Sequence, residues 1–411
     1  MKPAFLKNIG PGFVIAATGL GAGDLIAATV AGVKFQTALL WAVILGALLK
    51  GALNEGLARW QLTTGTTLLE GWIEKLPKWV KYYFTAYLFL WSFLVSAALM
   101  AACGLAANAL VPALSINQWA ILHSLLAAVL VIYGRYGLFE NLMKLFIGLM
   151  FVTVLVAVFH LPLDMSQITR GFLPSLPENS FKLILGVIGG VGGSVTLLCY
   201  GYWMREKQWQ GPEHISAMRI DLWCAYGITA IFGICIVILA AHTRPEVVKG
   251  SGILLAMADQ LKTTLGNTYE LVFLVGFWGA VFSSMLGVWH GIPYLFADFM
   301  LMQKNSTETT PTAKEANLHA SKPYLIWLLY LALPPYILLY FEKPIWLAIT
   351  YAVAGAFFMP FLAGTLLYMN NKVRWLSQHQ NGIVGNLLLI SALLLFVVLL
   401  TQKLLSQFNL I

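Results

Sequence analysis

Apolar stretches of 17 to 30 residues alternate with short polar breaks along nearly the whole chain. A bilayer crossing takes roughly 20 apolar residues, so this alternation predicts membrane-spanning helices. Eleven segments emerge, at about 10–33, 37–61, 82–111, 118–134, 144–160, 183–204, 222–241, 269–297, 323–341, 345–369 and 383–402. The longest polar stretch, Gln303–Lys322, contains NSTETTPTAKEA and reads as a solvated loop between spans eight and nine. No second domain is expected, and residues 1–411 read as a single transmembrane unit.

Composition strengthens this picture. The chain is 59% hydrophobic and 10% charged, whereas a soluble domain carries about 25% charged residues. A soluble catalytic core, a secreted disulfide scaffold and a nucleic-acid binder are thereby excluded. The net charge of +8 reflects lysine and arginine retained on the cytoplasmic side. With the N-terminus inside, 15 of the 25 basic residues fall on the inner side and 8 on the outer; Lys50 and Arg59 lie within span two. The expected placement is therefore a cytoplasmic (inner) membrane, multi-pass, with the N-terminus cytoplasmic and the C-terminus outside. Met1–Asn8 is short, holds Lys2 and Lys7 and runs straight into span one, so no cleaved signal is expected. Cys103, Cys199, Cys224 and Cys235 sit in apolar stretches without CxxC spacing and read as small packing residues.

Two spans interrupt their own helical pattern. Span one carries Gly19, Gly21 and Gly23; span six carries Gly189, Gly190, Gly192 and Gly193. Glycine costs about 1 kcal/mol against alanine in a helix interior, so both spans are predicted to break in mid-membrane. They open two successive five-span units, at about 10–160 and 183–369, with 383–402 as an addition. Breaks at matching places point to an inverted-repeat transporter with its substrate site at the midplane. Close helix packing would also use such glycines, as in Gly186-xxx-Gly190 and Gly189-xxx-Gly193. Asp24 tips the balance toward a site, because a carboxylate in an otherwise uncharged span faces a cavity or partner. Around it, unwound backbone offers carbonyls, and Ser194 and Thr196 offer hydroxyls. Such an oxygen-rich site with one carboxylate suits a hard cation; it equally suits the ammonium group of an organic zwitterion.

The order of motifs resembles the Nramp (natural resistance-associated macrophage protein) family of divalent metal transporters over nearly the whole chain. The resemblance is carried by Gly10-Pro11-Gly12 and by Glu55, Arg59, Thr64 and Gly65 in span two. Gly134-Arg135-Tyr136-Gly137 with Glu140, and Met359-Pro360-Phe361 in span ten, complete it. It implies an all-α polytopic protein of LeuT-like fold, with two inverted five-helix repeats, an eleventh helix, and metal held between spans one, six and ten. The ligand positions depart from the family. Its Asp-Pro-Gly-Asn falls on Gly21, Ala22, Gly23 and Asp24. Its Ala-x-x-Met-Pro-His falls on Gly193 to Leu198, with Thr196 at the methionine. A glutamine position in span ten falls on Ala352, and an acidic pair tied to proton movement falls on Ala98 and Ala101. Losing the thioether removes the preference for softer ions; losing the acids leaves few groups to carry protons.

Other residues extend the candidate site. Lys50 stands ten residues, about 15 Å, from Trp60 along span two. It is either a fixed charge paired with Asp24, replacing a coupling ion and opposing a metal, or it snorkels to the interface. Glu55 and Arg59 are one turn apart and can pair, as structure or as an inner gate. Tyr200, with Tyr202 and Trp203, gates the inner path or forms an interface belt. His123 and His290 read as buried, hydrogen-bonded histidines, Cys199 as packing, and Tyr351 as a lining residue from span ten. The leading expectation is a secondary transporter of an inorganic, divalent cation by alternating access, without proton coupling. Asp24 and Thr196 are the expected metal ligands, lined by Gly21, Ala22, Gly23, Gly193 and Ser194. The alternative is a carrier of a small organic solute such as an amino acid. No enzyme activity, cofactor or nucleic-acid partner is expected; the surroundings are lipid and the chain a monomer.

Overall fold

The computed structural model describes residues 10–134, 136–190, 193–244, 252–304, 318–319, 321–341 and 358–407, all helix or connection with no strand among them. Tyr351, Ala352, Gly192 and Arg135 lie outside the described residues.

Span one is two helices, α1 (Pro11–Gly19) and α2 (Ala22–Phe35), bent at 59° across Leu20 and Gly21. Pro11 opens α1 in the first turn, where its missing N–H costs nothing. Span two is α3 (Leu40–Thr64), closed by the Gly65 N–H on the Gln61 carbonyl at 2.9 Å. The short α4 (Leu68–Lys75) starts on a capping box: Glu70 N–H meets Thr67 Oγ1 at 3.1 Å, and Thr67 N–H meets Glu70 Oε2 at 2.6 Å. Span three is α5 (Trp79–Leu110); span four is α6 (Ile116–Tyr133), capped the same way by Ser115 and Gln118.

Span five, α7 (Tyr136–Phe159), begins eight residues before the apolar run at 144. Glu140 and Lys144 pair one turn apart on it, so charges that read as a loop continue the helix. After the surface helix α8 (Met165–Gly171), span six breaks into α9 (Phe181–Gly190), a 3₁₀ turn Val195–Leu198, and α10 (Cys199–Glu206). Span seven is α11 (Ile215–Thr243), followed by α12 (Gly252–Leu265). Span eight, α13 (Asn267–Lys304), has 38 residues, about 57 Å, and runs well past a roughly 30 Å hydrocarbon core. Span nine is α14 (Lys322–Ala332), tightening into 3₁₀ geometry over Pro334–Phe341 where two prolines remove N–H donors. Helix α15 (358–370) and the final helix α16 (Ile383–Gln407) end the described chain.

Among the described residues, seven helical segments are long and apolar enough to cross a membrane, span nine counted together with its 3₁₀ continuation, and the bent α1–α2 pair makes an eighth. Outward faces are apolar, with Leu122, Leu125, Leu126 and Val129 on α6 and Leu387 and Leu394 on α16 exposed. In water such a surface would be a liability; in a bilayer it is the solvent-compatible one. The most extensive contact between described helices joins α2 to α11. Gly32 makes it close: a Cβ there would lie 2.3 Å from the Val237 carbonyl oxygen.

Candidate functional site

The two breaks meet. Gly193, in the interruption of span six, has φ +78°, a left-handed conformation that glycine adopts at little cost. A Cβ on it would stand 2.4 Å from Thr196 Oγ1 and 3.7 Å from the Gly19 Cα at the end of α1. The break of span six thus lies within contact distance of the end of α1, and the Thr196 hydroxyl fills the space that a Gly193 side chain would take.

Each candidate ligand has a definite place there. Gly21 is the residue before α2, and its carbonyl takes the Leu25 N–H at 3.3 Å, leaving its second lone pair. Ala22 and Gly23 form the first turn of α2. Asp24 also lies in that turn, where the positive end of a helix dipole favours a carboxylate; this is the physical account of a charge in mid-span. Ser194 Oγ and Thr196 Oγ1 are buried, and neither has a hydrogen-bond partner among the described residues. A hydroxyl left so in a dry interior costs about 1–3 kcal/mol, so these two oxygens await something. Beside Asp24, a cavity of about 20 Å³ opens between Leu20, Ala28, Val43, Thr229 and Phe232, room for one water-sized occupant.

Lys50 does not snorkel. It is 1% exposed, and its ammonium donates a hydrogen bond to the Gly193 carbonyl oxygen. Asp24 is near enough to act on it electrostatically.

The remaining candidates lie away from the breaks. Glu55 pairs with Arg59 at 3.0 Å and with Arg219 of α11 at 2.9 Å. Arg59 also donates to the His379 carbonyl at 2.7 Å and to Asn381 Oδ1 at 2.6 Å, pinning α3 to the connection before α16. Tyr200 does not line the junction. Its hydroxyl donates to Asp221 Oδ2 at 2.9 Å, and that carboxylate also takes the Gly10 N–H at 2.9 Å and the Gly12 N–H at 2.6 Å. His123 is held by the Trp119 carbonyl and Trp278 Nε1. His290 accepts from Trp203 Nε1 at 3.1 Å and stacks on Phe139 at 3.9 Å. Cys199 packs against Gly291. Among the described residues, no three His, Cys, Asp or Glu side chains gather as a metal cage.

Three participants went unseen in the sequence. Asp221, one residue before the apolar run of span seven, is fully buried and caps α1. Ser283 and Ser284 of α13 donate to the Ala17 and Thr18 carbonyls at 3.2 and 2.7 Å, occupying oxygens freed at the end of α1. Adjacent serines in an apolar span were the available signal for the last two.

A helical bundle whose first and sixth spans break face to face defines the LeuT-like class of membrane transport proteins. Residues 12–407 match the family model described as natural resistance-associated macrophage protein-like, Nramp. The chain belongs to that family. It is similar to an Eremococcus coleocola manganese transporter in complex with an aromatic bis-isothiourea substituted compound, with 14% identity and a TM-score of 0.78 over 98% of this chain and 88% of that one. A mutant of that transporter aligns at a TM-score of 0.80 with 14% identity, over 99% and 88%. MhsT in complex with L-phenylalanine aligns at 0.57 with 15% identity, over 94% and 97%. The chain matches no curated protein.

Proposed function

We propose that the protein is a secondary transporter that moves a hard, divalent metal cation by alternating access. The observation that carries this reading is a pair of buried hydroxyls, Ser194 and Thr196, without a partner among the described residues at the break of span six, where that span meets the broken first span, whose inner turn carries Asp24. Asp24 supplies the charge, Thr196 and Ser194 neutral oxygens, and the Gly21 and Gly193 backbones carbonyls. Tyr351 is proposed to add to the lining from span ten, with Ala22 and Gly23 leaving room for water retained on the ion. All these donors are oxygen, which suits Mg²⁺ or Mn²⁺ over ions that demand sulfur. The structures that align at TM-scores of 0.78 to 0.80 are of a manganese transporter by description, and family membership favours a metal over the organic solute.

Transport is proposed to run without protons, because alanines 98 and 101 of α5 offer nothing to titrate. The two five-helix repeats, at 10–160 and 183–369, would rock around the junction, with 383–402 outside them. The proposed setting is a monomer in the cytoplasmic membrane, N-terminus in and C-terminus out, with no enzymatic activity. Glu55, Arg59 and Tyr200 are assigned to closing the inner end.

The test is a titration of the detergent-purified protein with Mn²⁺ and Mg²⁺ in parallel, on wild type and Asp24→Ala. Saturable binding that the substitution abolishes is the expected result. Absence of binding by either ion in the wild type would overturn the reading.

A further inference from the structure

Among the described residues, Lys50 is the one charge at the junction that a cation site does not call for. It lies ten residues, about 15 Å, into α3 from Leu40, deep in the span. A lysine there normally stretches toward water. This one turns inward, and the Phe396 ring of α16 stands 5.9 Å from its ammonium, an aromatic face that suits a cation. Phe396 is itself 1% exposed, so the final helix walls the ammonium off from lipid.

What the ammonium touches is telling. It binds the Gly193 carbonyl, the backbone oxygen exposed by the break in span six, and it feels the Asp24 charge from the break in span one. Those are the groups that a transported cation would use. With Asp24 negative and Lys50 positive, the empty site carries no net charge, and a neutral site crosses the low-dielectric midplane far more readily than a lone carboxylate.

We propose that the Lys50 ammonium is a tethered cation that competes with the transported ion for the Gly193 carbonyl and the Asp24 charge. When the ion is absent, it neutralises the site. Binding of the ion then requires the ammonium to leave the carbonyl, which weakens affinity. Return of the empty carrier requires the ammonium to be back in place, which removes the need for a second, coupling ion. This inference rests on the cation-transport reading above.

The experiment compares wild type with Lys50→Met and Lys50→Gln; the glutamine keeps a donor for the Gly193 carbonyl in case the methionine variant fails to fold. Mn²⁺ binding is measured in detergent. Mn²⁺ uptake is then measured in proteoliposomes that are either empty or preloaded with Mn²⁺. Both variants are expected to bind Mn²⁺ at least tenfold more tightly than wild type. Net uptake into empty vesicles should fall at least tenfold, while exchange into preloaded vesicles persists, because only the empty return step needs the ammonium. Equal or weaker binding by a folded variant overturns the proposal and leaves cation transport standing, as does a parallel loss of net uptake and exchange. Absence of Mn²⁺ binding in wild type and variants alike overturns the transport reading, and this inference with it.

Discussion

Replacing one carboxylate, in Asp221→Asn, should loosen the start of span one without disturbing its other half. The Asp221 carboxylate gathers three donors: the Gly10 and Gly12 N–H groups and the Tyr200 hydroxyl, at 2.9, 2.6 and 2.9 Å. Hydrogen bonds to a charged acceptor contribute about 1.5–3 kcal/mol each. Asparagine fits the same space but turns an N–H toward one of the two backbone N–H groups, so at least one bond to α1 is lost. The equilibrium between clamped and released α1 should then shift at least about 10- to 100-fold toward release. Tyr200→Phe should shift it far less, since that hydroxyl bonds the carboxylate and not α1 itself. Hydrogen–deuterium exchange reads this directly, because amide exchange tracks local opening. The peptide covering residues 10–20 should exchange at least about 10- to 100-fold faster in Asp221→Asn, while a peptide within α2 keeps its wild-type rate. Exchange within twofold of wild type in Asp221→Asn would refute the clamp.

Four further outcomes follow from the geometry of the junction and of the Glu55 ion pairs. Thr196→Val removes a buried hydroxyl with no partner, so thermal stability should hold or rise by about 1 kcal/mol while Mn²⁺ affinity falls about tenfold, the pair of readouts separating a ligand from a packing residue. Gly193→Ala places a methyl 2.4 Å from Thr196 Oγ1 at a left-handed φ. It should lower stability by about 2 kcal/mol or more, and Thr196→Ala should restore only the steric part, measured by thermal unfolding in detergent. Glu55→Gln leaves Arg59, 5% exposed in its side chain, without its carboxylate and should destabilise by about 3 kcal/mol. Arg219→Gln, losing a pair whose arginine is half exposed, should cost under about 1 kcal/mol by the same assay.

Much of this molecule is legible from local pattern. Long apolar runs mark the spans, and mid-span glycines mark the two breaks, because helix propensity and hydropathy act within a few residues of each other. Glu140 and Lys144 mislead for the same reason: a pair that neutralises itself on a helix looks, residue by residue, like a loop. The direction of Lys50 could not be read, since snorkelling and burial differ only in what the neighbouring spans offer. Its acceptor is 143 residues away. Asp221 is harder still, for its three donors are 21, 209 and 211 residues distant, and nothing beside it in the chain distinguishes it from an interfacial charge.

Helix α11 lies along both halves of the broken first span like a splint, gripping α1 through polar groups and α2 through close-packed backbone at Gly32. These two grips differ in how they yield. Water entering at the α1 end can take over each hydrogen bond it breaks, so that end can loosen by wetting. At the α2 end, separation around Gly32 would expose apolar surface to which water gives nothing back, so that contact resists opening. The break between them is therefore a joint with one stiff arm and one compliant arm, and the compliance is chemical in origin.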